Sequence, residues 1–292
     1  MIKTGFVERN LKFLFPLPAV LFVAVMMAFP VAYTLALSFT NWNLTSGASP
    51  AFVGLRSYAR VFAEPRFIAA TGRTFLFTAL AVACEALLGV AVALVLDREF
   101  VGKGLLKLLL LLPLVATPVA VGIVFSLFYD PTIGLADWAL SLVGLPKGAW
   151  VSGAATVLPS LVLVDVWQWT PMISLIVLAG LAGLSTEPYE SARVDGASEA
   201  QILWRITLPM VMPTILTALI LRTIDALKTF DIIFAMTGGG PGYASETLNL
   251  LGFKYSFEYF RMGQSSVILV VLFLVVMASS MGIMRLRAGT PA

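Results

Sequence analysis

The sequence predicts an all-α membrane protein with six spanning helices, and two observations carry that reading. Hydrophobic residues make up 59% of the 292 positions and charged residues 12%, about half of the roughly 25% in an ordinary soluble domain. The apolar residues also gather into six stretches, each matching the about 20 residues a helix needs to cross the hydrocarbon core. A mean hydropathy of +0.95 leaves too little polar surface to cover a soluble fold, so lipid is the solvent. Cytosolic enzymes, secreted disulfide scaffolds and disordered chains are excluded. The absence of histidine removes His-based general bases, triads and most transition-metal sites. No catalytic residue and no metal site is expected.

The stretches fall at 14–39, 72–96, 105–129, 155–183, 209–236 and 263–286. The first follows a basic start but is too long for the h-region of a cleaved leader, so it reads as a retained span. The second carries the single cysteine, Cys84, expected as a small core hydrophobe. Prolines recur within the spans at 30, 113, 118, 159, 171 and 213. They read either as breaks beside a polar pathway or as the ordinary prolines of membrane helices. The even number of spans puts both termini on one side. Ten lysines and arginines lie in the termini and the second and fourth loops, and seven in the other three loops. That bias places both termini, and the 184–208 loop, in the cytoplasm. The net charge of +3 is then a topology signal rather than a mark of nucleic-acid binding.

The 184–208 loop holds the densest polar pattern. Ser185 or Thr186 can cap a helix with Pro188 and Glu190 in its first turn. Gly196 can supply a left-handed turn, and Ser198 with Glu199 can open a second helix. Ile202, Leu203 and Ile206 then form an apolar face leading into the fifth span, with Glu190, Asp195 and Glu199 outward. The pattern suits either a surface helix-turn-helix for docking or an ordinary amphipathic connector.

The fifth span carries Arg222, Asp225, Lys228 and Asp231, three apart with alternating sign. Such neighbours can pair along a helix, and ionisable groups in a bilayer face a cavity or the bundle interior. They form either the lining of a pathway or a self-neutralised ladder. Glu85 and Asp165 are further intramembrane acids without an evident partner. The run Gly238-Gly239-Gly240-Pro241-Gly242 must turn, yet no phosphate-loop pattern occurs. Energy for pumping would come from a partner.

Three groups of residues resemble a known family. Glu190-Ser191-Ala192, Asp195-Gly196-Ala197 and Ile206-Thr207-Leu208-Pro209 are similar to the EAA loop of bacterial ABC-importer permeases, with Ser191 in place of the middle alanine. Phe230-Asp231-Ile232-Ile233-Phe234 followed by Thr237-Gly-Gly-Gly-Pro241, and Asp165-x-Trp167-Gln168-Trp169-Thr170-Pro171, resemble carbohydrate-importer permeases of the maltose and glycerol-phosphate type. The resemblance runs from about residue 15 to 285. It implies a single type I permease domain over 1–292, with Glu190, Ala192, Asp195, Gly196 and Ala197 docking an ATPase through coupling helices. It implies a heterodimer with a second homologous permease, two ATPase subunits holding ATP and Mg, and an extracytoplasmic sugar-binding protein. No cofactor is expected in this chain, and the site is the bacterial inner membrane. Sugars offer hydroxyls to polar groups and C–H faces to rings, so Trp167, Gln168, Trp169, Phe230 and Asp231 are candidate contacts beside Asp165, Arg222, Asp225 and Lys228. The tryptophans also suit plain aromatic packing or an interfacial belt. Away from the resemblance, the residues also admit an ion-coupled secondary transporter, a membrane-embedded enzyme, or an ABC permease for a non-sugar solute.

Overall fold

The computed structural model describes residues 12–288, with side chains up to 285. Lys3, Arg9 and the side chain of Arg287, part of the charge bias above, lie outside the described residues. In chain order the helices are α1 (Leu17–Ser38), α2 (Arg56–Phe62), α3 (Pro65–Asp97), α4 (Lys103–Val115), α5 (Pro118–Phe128), α6 (Leu135–Leu142), α7 (Val157–Ala182), α8 (Glu187–Val194), α9 (Glu199–Ile202), α10 (Leu208–Leu227), α11 (Asp231–Thr237), α12 (Leu248–Phe257) and α13 (Met262–Ala288). Five helices are long and apolar enough to cross a membrane, or six if the bent pair α4–α5 counts as one span.

That bent pair corrects the expected third span. The chain turns by 100° between α4 and α5. Pro118 bars the preceding residue from the helical region, and Ala116 and Thr117 are extended, with ψ of 138° and 142°. The backbone freed at the break is satisfied in part by Gln168, whose Nε2 donates to the Ala116 carbonyl at 3.1 Å. Irregular backbone at membrane depth needs such a partner.

The fifth span also differs from expectation. It ends at Leu227, three residues interrupt it, and Asp231 opens a new short helix. At its other end α9 runs through a π-helical turn, Leu203–Thr207, into α10. The helix from the polar loop is therefore continuous with the span, 29 residues over Glu199–Leu227.

The chain divides into two compact units. The first joins 12–64 to 252–271. In it α1 buries only Leu37 and Ser38, leaving its apolar surface outward, as a lipid-facing helix requires. Gly263 donates to the Trp42 carbonyl at 3.0 Å. A Cβ at Gly263 would collide with the Thr40 carbonyl oxygen, so this approach admits only glycine.

The second unit joins 65–251 to the rest of α13. Its core is the packing of α3, α7 and α10, around Ala93, Ile173, Val177, Val211, Ile215 and Ala218. A Cβ on Gly89 of α3 would meet the Ile173 side chain of α7 at 2.8 Å. Small residues at such crossings are what let membrane helices gain contact. Cys84 faces outward from α3, contrary to its expected place in the core. It lies next to buried Glu85, and successive residues point about 100° apart around a helix.

Candidate translocation cavity and coupling helices

Three ionisable residues from three spans meet in the second unit. Arg222 of α10 donates Nε to Glu85 Oε2 at 2.5 Å and Nη2 to Glu85 Oε1 at 3.0 Å. Its Nη2 also donates to Asp165 Oδ2 on α7. All three side chains are buried. A guanidinium offers a planar fork that suits two acceptors at once, and charges in a lipid-embedded interior persist only when paired. Glu85 and Asp165 thus have the partner that a reading confined to neighbours along one helix could not find.

The expected ladder is corrected accordingly. Of its rungs, Lys228 and Asp225 pair at 3.3 Å, both about half exposed. Arg222 turns across to α3 and α7. Asp231 sits on the next helix, exposed, and forms no ion pair among the described residues.

These groups surround a cavity of about 320 Å³. Asp165 and Trp169 of α7 form one wall, Arg222 and Asp225 of α10 another. Lys228, Thr229 and Phe230 come from the break, Asp231 and Ile232 from α11, and Pro118 from the bend before α5. Both helix interruptions therefore open onto the same space. The Arg222 guanidinium lies 5.3 Å from the centre of the Trp169 ring, within cation–π range. Phe230 stacks on Phe234 at 5.2 Å.

Not every expected contact reaches this cavity. Trp167 points away and packs against Phe125 at 5.2 Å. Gln168 is buried and serves the α4–α5 break. Residues two apart on a helix point about 200° from each other, so Trp167 and Trp169 could not share one wall. Pro118, Thr229 and Ile232 were missed as lining. The proline signal at 118 was visible in the sequence, but only the bend gives it a place.

The glycine-rich turn is tied to α3. Glu246, fully buried, receives Arg66 Nε and Nη2 at 2.7 Å each. Arg73 Nε donates to the Glu246 carbonyl at 2.8 Å. Gly238, Gly239 and Gly242 all have positive φ, the conformation glycine adopts at least cost.

At the other end of the unit, α8 and α9 form a compact pair. Gly196 has φ +78°. Its N–H donates to the Arg193 carbonyl at 3.1 Å, and the Ala197 N–H to the Ala192 carbonyl at 2.9 Å. These two bonds are a Schellman termination. Ser198 then caps α9 reciprocally with Gln201, a capping box. Thr186 stands at the start of α8 without a side-chain cap bond. Glu190, Asp195 and Glu199 are exposed, Ala192 and Ala197 half-buried, Ile202 buried. Arg193 of α8 approaches Glu199 of α9 at 3.7 Å.

An all-helical membrane chain with a charged cavity at two broken helices, and a polar helix pair continuous with one span, has the form of a membrane transport subunit. The chain belongs to the family of binding-protein-dependent transport system inner membrane components, whose model matches residues 85–287. It is 36% identical to the trehalose/maltose transport system permease protein MalF of Thermococcus litoralis, over 98% of this chain and 96% of that one. It is 34% identical to the trehalose transport system permease protein SugA of Mycobacterium tuberculosis, over 91% and 85%. Its fold is similar to a chain of a bacterial alginate ABC transporter, with TM-score 0.82 and 19% identity over 95% and 94% of the two chains. The chain is thus a permease subunit of an ABC transporter, which sets aside the ion-coupled secondary transporter.

Proposed function

We propose that this chain forms, with a second homologous permease, the sugar pathway of an ATP-driven importer. The cavity of about 320 Å³ between the two helix breaks carries the reading. Its size falls at the lower end of the about 300–1,000 Å³ of small-molecule sites. Cations and carboxylates stand side by side in it, with Trp169 and Phe230 among them. Such a lining gives a neutral, polyhydroxylated solute both donors and acceptors, and rings for its C–H faces. A cargo of strong net charge would be repelled by part of the wall. The names of the relatives, transporters of trehalose and maltose, support the same cargo class.

In this reading 1–292 is one permease domain, with both termini and 184–208 in the cytoplasm. Glu190, Ala192, Asp195, Gly196 and Ala197 of the α8–α9 pair meet one of two ATPase subunits, which hold ATP and Mg. A soluble binding protein delivers sugar from outside. Because α9 continues into α10, a push on the coupling pair moves the helix that carries Arg222 and Asp225. The spans then rock between inward-facing and outward-facing states. The chain itself makes no covalent bond with cargo.

Uptake by the whole transporter in proteoliposomes tests the pathway role. Asp231→Ala is expected to assemble normally and lose uptake, and Lys228→Ala added to it is expected not to restore uptake. Loss of assembly in the single variant, with recovery of assembly and uptake in the double, would show a structural ladder instead. A thermal-shift screen of the cognate binding protein against sugars identifies the cargo, and stabilisation only by non-sugar solutes would refute the cargo class.

A further inference from the structure

The ends of two spans meet around another cavity, within the unit built from 12–64 and 252–271. The Leu44 N–H donates to the Phe260 carbonyl at 3.0 Å, as Gly263 does to Trp42. The candidate span that ends there, α1 with the turn before it, runs 27 residues from Lys12 to Ser38. At a rise of about 1.5 Å per residue that is roughly 40 Å, beyond the ~30 Å hydrocarbon core. The junction therefore lies at a lipid–water boundary, whichever side of the membrane it faces.

The cavity measures about 300 Å³, and its polar wall includes Asn41, Asn43, Ser57, Arg60, Arg261 and Gln264, with Trp42 beside them. Donors outnumber acceptors along the wall, where Gln264 Oε1 is a buried acceptor left without a partner. Asn41 Oδ1 already accepts the Ala51 N–H at 3.2 Å. Asn43 Oδ1 accepts both the N–H and the hydroxyl of Thr45, at 3.0 and 2.8 Å. Each amide thus keeps its NH2 as its main remaining offer. The Ser57 hydroxyl donates to the Thr40 carbonyl at 2.8 Å. Arg60 and Arg261 are exposed and form no ion pair among the described residues. No carboxylate lines the cavity. The nearby acid Glu64 is engaged by the Tyr255 hydroxyl. A ligand that satisfies this wall brings negative charge and several acceptor oxygens. The same unit exposes large apolar side chains along the segments that border the cavity: Phe52 at 79%, Leu55 at 68%, Phe257 at 64% and Phe260 at 40%. Trp42 in the cavity wall is of the residue type enriched at the bilayer interface.

We propose that this cavity binds the phosphate of an anionic phospholipid headgroup, held by Arg60 and Arg261 with the asparagine amides. Guanidinium groups bind phosphate oxygens through charge-assisted hydrogen bonds. Free phosphate shares that chemistry. The lipid is the better occupant because the bordering rings give its acyl chains a surface, from which a free ion gains nothing.

The test uses the assembled transporter in nanodiscs of equal phosphatidylglycerol and phosphatidylcholine, with retained lipid read by native mass spectrometry after release. The wild type is expected to keep phosphatidylglycerol in preference to phosphatidylcholine. Arg60→Gln with Arg261→Gln is expected to lose one retained phosphatidylglycerol per copy. Arg60→Lys with Arg261→Lys should keep it, as should Arg56→Gln, which lies on the same helix but outside the cavity. An excess of inorganic phosphate should not displace the lipid. Equal retention of the two lipids by the wild type overturns the proposal without any variant. So does unchanged retention in the glutamine pair, or displacement by inorganic phosphate. A glutamine pair that keeps its lipid but loses stimulation of ATPase activity by the binding protein would assign the cavity to a protein carboxylate instead.

Discussion

Arg222 on the fifth span and Glu85 on the second close a buried, two-pronged ion pair, 2.5 and 3.0 Å long, across 137 positions of sequence. Asp165 joins it from the fourth span. One arginine therefore links the three helices that make the core of the larger unit and stands at the edge of its cavity.

Arg222→Met leaves two carboxyl groups buried without their cation. Removing one partner of a buried pair costs about 3–5 kcal/mol. The expected result is a clear fall in assembled yield and melting temperature, with Arg222→Lys intermediate. Gel filtration with a fluorescent tag and a thermal melt in detergent measure both. A wild-type melt for Arg222→Met would mean that the triad does not hold the spans together.

Arg66 and Glu246 should behave alike at the glycine-rich turn. Glu246 is fully buried and bound by Arg66 at 2.7 Å through both prongs. Arg66→Met is expected to loosen the 238–247 segment and expose it to limited proteolysis. Arg56→Met, outside this cluster, serves as the control. Equal cleavage in the two variants would remove Arg66 from the role of anchor.

The proposed coupling to an ATPase rests on the turn between α8 and α9. Gly196 holds φ at +78°, and its N–H is bonded to Arg193. Proline can neither adopt that φ nor donate. Gly196→Pro is expected to abolish transport and weaken ATPase association with normal membrane insertion. Glu190→Lys reverses an exposed charge on the same pair and should reduce association, since like-charge contact in a docking face costs several kcal/mol. Co-purification of the ATPase with the double variant at wild-type yield refutes the assignment.

The orientation is checked with single cysteines in a Cys84→Ser background, labelled by an impermeant maleimide on intact cells. Cysteine at 147 should label and cysteine at 199 should not. The reverse pattern inverts the topology. Replacing Cys84 is required because it is exposed on the surface of its helix.

The all-helical membrane class, five of the spans, the helix pair at 184–208 and its glycine turn were legible in the sequence, because each rests on local physics. Apolar runs of helix length declare a lipid solvent. Ser198, Gly196 and Pro188 act within a turn of their own position. Four residues of the candidate pathway, Asp225, Lys228, Phe230 and Asp231, lie within seven positions of one another, so their nearness was legible too. Which of the candidates share the cavity depended on contacts between spans. The pairing of Arg222 with Glu85 and Asp165, and the diversion of Gln168 to a broken backbone, depend on how three helices rotate and pack. Buried charge and freed carbonyls must find partners wherever the packed bundle brings them, and distance along the chain carries no record of that. The bend at Pro118 and the break after Leu227 belong to the same class. The sequence by itself determined the solvent, the apolar stretches and the glycine turn at 196. The tertiary structure alone decided which polar groups meet, because low-dielectric pairing acts through space.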